Sequence, residues 1–100
     1  MSRSESVILS GDLDLFQAPT IRRLLDPIDG PATIDMRNVS YLDSSALKEL
    51  ARVARRVGPG QVTLVVASPN VRRVLDLVRF AELFSIVDVS RPLNGRLASA

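Results

Sequence analysis

The chain has 100 residues, 13 of them basic and 11 acidic, and contains no His, no Cys and no Trp. Those absences exclude a disulfide framework, a thiol nucleophile, an imidazole base and a zinc site built from Cys or His. The length suits one domain that buries roughly two-thirds of its unfolded-chain surface, and a 46% apolar share with only 4% aromatic residues points to an aliphatic core.

The net charge of +2 is small and the Arg residues are spread along the chain, so electrostatics give no nucleic-acid footprint. No stretch approaches the roughly 18–20 apolar residues that a membrane span requires. The opening Met1-Ser2-Arg3-Ser4-Glu5-Ser6 leads into no apolar run of signal-peptide length, which makes the cytoplasm the default location.

Strand and helix signals alternate from end to end. Val7-Ile8-Leu9 is a short strand run closed by Ser10-Gly11, with residues 1–6 before it as a flexible N-terminus. Pro19 suits the first turn of a helix whose Ile21, Leu24 and Leu25 share one face, and Asp26-Pro27 and Gly30-Pro31 end it. Thr33-Ile34-Asp35-Met36 is the second candidate strand. Asp43 is placed to N-cap the next helix, where Leu47, Leu50, Ala51, Ala54 and Val57 keep the i, i+3, i+4, i+7 spacing until Gly58-Pro59-Gly60. Val62-Thr63-Leu64-Val65-Val66 is nearly all apolar, as a strand covered on both faces should be. Ser68-Pro69 reads as N-cap and first helical residue, with Val71, Val74, Leu75 and Val78 inward. Residues 84–89 supply the last strand, and residues 90–100 form a C-terminal tail. Alternating strands and helices predict an α/β domain over residues 7–89, with a mixed, mostly parallel sheet of about four strands. Sites in such sheets gather where strand ends meet helix N-termini.

That directs attention to residues 34–47. Ser44 and Ser45 are predicted at about the first and second positions of the helix that Asp43 caps. They lie among amides that have no intrahelical acceptor, beside the positive end of the helix dipole. A phosphate there would be bound by those amides and favoured by the dipole. Its second effect would be repulsive, because about two negative charges would stand beside Asp43 and displace an apolar or acidic partner. From these residues alone, ordinary helix capping remains the simpler reading.

The chain resembles the STAS domain, the fold shared by bacterial anti-sigma factor antagonists and the cytoplasmic domains of sulphate transporters. Three segments carry the resemblance: Ser10-Gly11-Asp12-Leu13-Asp14, the stretch from Asp35 through Leu47 with its Asp43-Ser44-Ser45, and Val65-Val66-Ala67-Ser68-Pro69-Asn70-Val71 with Leu75 and Phe84. The resemblance implies a non-catalytic regulatory protein, without cofactor or metal. In the family, a Ser at this position is phosphorylated by an anti-sigma factor with a serine kinase fold and reset by a serine/threonine phosphatase. By position the phosphoacceptor is Ser45. Asp14, Asp43, Ser44, Ala46, Leu47 and Lys48 form its surroundings and the partner-binding surface. Ala46 and Lys48 replace two family glycines, and Lys48 can share the helical face of Ser45. The family usually has a further strand before the one at Val7. Only six residues precede it, so that strand is expected to be reduced or absent, leaving a sheet edge open to homodimer formation. The alternative function is a constitutive structural STAS subunit of a signalling assembly or lipid-transport complex that is never phosphorylated.

Other patterns carry less. Ser45-Ala46-Leu47-Lys48 fits the bare S-x-x-K of penicillin-recognising enzymes, but no Ser-Asp-Asn or Lys-Thr-Gly accompanies it. Gly58-Pro59-Gly60 lacks the Gly-Lys-Ser/Thr ending of a phosphate loop. Asp12, Asp14 and Asp35 read as turn and strand-end residues rather than a magnesium cluster. Lys48, Arg52, Arg55 and Arg56 are expected on the outer face of the second helix, either simply solvated or docking an acidic surface. Arg72, Arg73 and Arg79 have the same two readings.

Overall fold

The computed structural model describes residues 5–90. The elements in chain order are β1 (Glu5–Leu13), α1 (Ala18–Leu25), β2 (Ala32–Leu42), α2 (Ser44–Val57), β3 (Val62–Val66), α3 (Pro69–Leu77) and β4 (Ser85–Asp88). Short 3-10 turns at Leu15–Gln17 and Phe80–Glu82 precede α1 and β4. The strands form one sheet in the order β1-β2-β3-β4, and every pair is parallel. The expected α/β domain with a mostly parallel sheet of about four strands is thus present, and among the described residues the sheet is parallel throughout. Each connection passes through a helix, which returns the chain to the same end of the sheet before the next strand begins.

The strands at Val7 and Thr33 are both longer than their apolar runs suggest. Glu5 and Ser6, expected in a flexible N-terminus, already pair with Ala32 and Thr33. Past Ile8 the register slips twice, from Ile8↔Asp35 to Ser10↔Asn38 and from Gly11↔Val39 to Asp12↔Tyr41. Each slip adds a residue on β2, so β2 bends while β1 keeps its alternation. Gly11 takes a φ of +82° beside the second slip, a conformation open to glycine at little cost. Ser10-Gly11 thus continues the strand instead of closing it. Residues 91–100, most of the expected tail, lie outside the described residues.

The parallel register brings Val7, Ile34, Leu64 and Ile86 into one row and Ile8, Asp35, Val65 and Val87 into the next. Side chains of the first set face the core with Leu9, Met36, Val62 and Val66. Right-handed crossovers between sequential neighbours place the three helices on that same face. In β3 only Val62, Leu64 and Val66 are buried, while Thr63 and Val65 are half-buried. The apolar run of β3 was expected to be covered on both faces; among the described residues one face is covered, and neighbouring strands only partly shield the other.

Helix packing follows the period with two departures. In α1, Ile21 and Leu25 are buried but Leu24 is 44% exposed, because it points past the sheet edge and not over it. In α2 the buried stripe is wider than expected. Ala46 and Val53 join Leu50, Ala51 and Ala54, while Leu47 and Val57 pack at its margins. Arg56, expected on a free outer face, instead donates from Nη2 to the carbonyls of Leu25, Asp26 and Ile28 at 3.0, 3.4 and 2.8 Å. It ties the end of α1 to α2, satisfying carbonyls that the helix leaves over. Phe80 and Phe84 meet at 5.2 Å between ring centroids and close the core beneath α3.

Candidate functional site

The C-terminal ends of β1 and β2 are held side by side. Leu13 pairs with Leu42, and the Asp43 amide donates to the Leu13 carbonyl at 3.1 Å. The next residue on each strand is an aspartate with extended backbone that caps a helix, Asp14 for the turn at Leu15–Gln17 and Asp43 for α2. The register therefore brings together Asp14 and Asp43, which lie far apart in the sequence. Asp14 Oδ1 accepts from the Phe16 amide at 3.0 Å. Asp43 Oδ1 accepts from the amides of Ser45 at 2.9 Å and Ala46 at 3.3 Å.

Ser44 and Ser45 occupy the first two positions of α2, Ser44 exposed and Ser45 half-buried. Two of the amides expected to receive a phosphate are not open. Those of Ser45 and Ala46 are already held by the Asp43 carboxylate, so a phosphate on Ser45 would meet that carboxylate first. Ala46 is fully buried and packs into the core rather than presenting its methyl to a partner. Leu47 is half-buried and Lys48 is exposed. Of the predicted set, Asp14, Asp43, Ser44, Ser45, Leu47 and Lys48 thus border one corner of the molecule.

Two apolar features at this corner escaped the sequence reading. Leu15 and Phe16 follow Asp14 on a turn that packs beside α2, and Phe16 is 85% exposed. Their signal in the sequence was a pair of large apolar residues directly after a cap and outside the helical period. The second feature is a groove of about 490 Å³ between α2 and the end of α3. Leu47, Ala51, Val78 and Phe80 supply its apolar lining, Ser44 stands at one end, and Lys48, Arg52 and Arg55 contribute their side chains to it. Val78 was expected to face the core, but it opens onto this groove instead.

Asp35, read as a strand-end residue, lies within β2 between Ile8 and Val65, and both it and Asp12 are engaged locally. Asp12 accepts from the Ser40 hydroxyl at 3.0 Å. Asp35 is paired with Arg37 at 2.7 Å, and the hydrogen bond from that guanidinium holds its carboxyl below the usual range. Among the described residues, no group of three His, Cys, Asp or Glu side chains is placed to hold a metal ion, and no helix is long and apolar enough to cross a membrane.

The STAS domain family model matches residues 6–94, and the chain belongs to the STAS domain family. A STAS-domain containing protein of Pseudomonas aeruginosa (strain UCBPP-PA14) is 42% identical over 55 residues. That match takes in 53% of this chain and 54% of the relative, so it spans about half the length of each. Among solved structures, the anti-sigma factor antagonist SpoIIAA in its unphosphorylated form is similar with a TM-score of 0.55. The similarity covers 99% of this chain and 91% of that one at 20% identity, and it is a likeness of fold.

Proposed function

We propose that this chain is an anti-sigma factor antagonist whose binding is switched by phosphorylation of Ser45. The observation that carries this reading is the surface corner at the start of α2. There Ser44 and Ser45 open the helix beside the Asp14 and Asp43 carboxylates, next to exposed Leu15 and Phe16 and an apolar groove. In the unmodified form such a corner offers apolar contact and hydroxyls to a partner. A phosphate on Ser45 adds about two negative charges next to an existing carboxylate. Asp43 already holds the amides of Ser45 and Ala46, so the helix dipole offsets the cost of that charge to the fold while the charge itself stays available to act on whatever is docked there. The partner is an anti-sigma factor with a serine kinase fold, which brings its own ATP. A serine/threonine phosphatase resets the switch, and the chain itself performs no catalysis. The cytoplasm is where such partners would be met.

The test is twofold. Intact-mass measurement of the chain incubated with its cognate kinase should show one phosphate, lost in Ser45→Ala and retained in Ser44→Ala. Ser45→Asp should weaken partner binding at least about tenfold, or about 1.4 kcal/mol, without unfolding the domain, since a helix N-terminus tolerates anions. Lys48 lies one turn along and can mask the added charge, so the comparison is repeated in Lys48→Gly. If Ser45→Asp in that background binds as tightly as Lys48→Gly alone, the switch is refuted. The constitutive subunit of a signalling assembly or lipid-transport complex then becomes the better account.

A further inference from the structure

β1 is the edge of the sheet among the described residues and runs for 9 residues. The opposite edge, β4, has only 4. Natural edge strands are commonly protected by Lys, Pro, bulges or brevity. β1 has none of these over residues 6–10, and its charges, Glu5 and Asp12, lie outside that stretch. Both bulges add their extra residue to β2, and Gly11 with its positive φ lies beyond the stretch, which leaves residues 6–10 of β1 regular.

The direction of the β1 groups that have no partner among the described residues follows from two observed bonds. The Glu5 amide donates to the Pro31 carbonyl, and the Leu13 carbonyl accepts from the Asp43 amide. Odd-numbered backbone groups of β1 therefore face β2, and alternation turns the N–H and C=O of Ser6, Ile8 and Ser10 outward.

We propose that a second copy of this chain pairs antiparallel with β1 about a two-fold axis at Ile8. Ser6-Val7-Ile8-Leu9-Ser10 has the same polarity pattern in both directions. The pairing sets Ile8 against Ile8 of the second copy, Val7 against Leu9 and Ser6 against Ser10. All of the outward-facing backbone groups of residues 6, 8 and 10 then find partners in narrow hydrogen-bonded pairs. Glu5 falls opposite Gly11, so no like charges meet. Shifting the axis to Ser10 would place Ile8 opposite Asp12.

The surface beside the strand suits the same occupant. Ile8 is 67% exposed and Leu24 is 44% exposed. With Leu9, Ser10 and Thr20 they line a shallow depression of about 170 Å³ at this edge. A symmetric interface presents the same patch from both sides, so the depression of one copy faces that of the other across the paired strands.

The chain has no Cys, which allows a direct test on the full chain. Across such a hydrogen-bonded antiparallel pair the Cα atoms are about 5.5 Å apart and the Cβ atoms nearly as far, too wide for a relaxed disulfide but within reach of a short bifunctional thiol reagent. With such a reagent Ile8→Cys should cross-link roughly tenfold faster than Phe16→Cys, because pairing raises the local thiol concentration. Sedimentation should show a dimer for the native chain and a monomer for Ile8→Glu, whose circular dichroism stays unchanged. A native chain that remains monomeric up to about 1 mM overturns the proposal. So does equal cross-linking of the two cysteine variants, or a dimer that survives Ile8→Glu.

Discussion

Glu49 shows how much a single side chain on α2 does away from the candidate site. It accepts from Arg22 Nε and Nη2, both at 3.1 Å, and from Arg52 at 3.5 Å, with its side chain only 11% exposed. The hydrogen bond from Arg22 is the main reason that its carboxyl titrates below its ordinary value of 4.5, with the neighbouring charges adding to it. A lowered native value means that the ionised form favours the fold. The contribution is complete above the unfolded value and disappears as the pH falls through the lower native one. Denaturant unfolding measured from neutral pH into this acid range should therefore show a shallower loss for Glu49→Gln than for the native chain. Asp35, also lowered by its guanidinium partner, leaves part of the slope in place. A variant with an unchanged acid slope would show that the Arg22 pair contributes nothing.

At the scale of the elements, α2 is the part on which core and site both depend. Its first residues carry the two serines, and its Leu50 is fully buried. Leu50→Ala should lower stability by about 2–5 kcal/mol through lost transfer energy and the cavity left behind. Leu24 has the same chemistry on α1 but is partly exposed, and Leu24→Ala should cost less than about 1.5 kcal/mol in the monomer. Equal losses in denaturant unfolding would mean that the burial pattern of the two helices is wrong. Arg56 fastens the α1 end to α2 through three carbonyls, so the position of the serines relative to the first half of the fold is set at both ends of α2.

For the molecule as a whole, the charge distribution matters more than the total. The net charge is only +2, yet Lys48, Arg52 and Arg55 all contribute to the groove beside Ser44. A partner that docks there with acidic groups is steered by this field, which screening weakens. Association with the cognate partner should slow by about tenfold between about 0.01 M and 0.15 M ionic strength. In the Lys48→Glu/Arg55→Glu double variant that dependence should flatten or reverse. A stopped-flow rate equally salt-sensitive in the native chain and the double variant would place the docking surface elsewhere.

Local chemistry was legible in the sequence because its causes act over a few residues. Asp43 and Ser68 accept from amides two or three positions onward, so both caps could be placed without knowing what lay around them. The helical spacing likewise identified Leu50, Ala51 and Ala54, and the alternation of strands with helices indicated the α/β class. What tertiary structure decided was everything that depends on register between distant segments. Pairing with β2 carried β1 beyond its apolar run, and two bulges stretched β2 to Leu42. The same register brought Asp14 next to Asp43. The stacking of all three helices on one face left Val65 half-covered and turned Val78 into the wall of a groove. Arg56, one more surface arginine by its spacing, became a tie because the α1 end happens to expose carbonyls within its reach. Each of these outcomes is fixed by contacts between residues remote in the chain, and no window of sequence contains both partners.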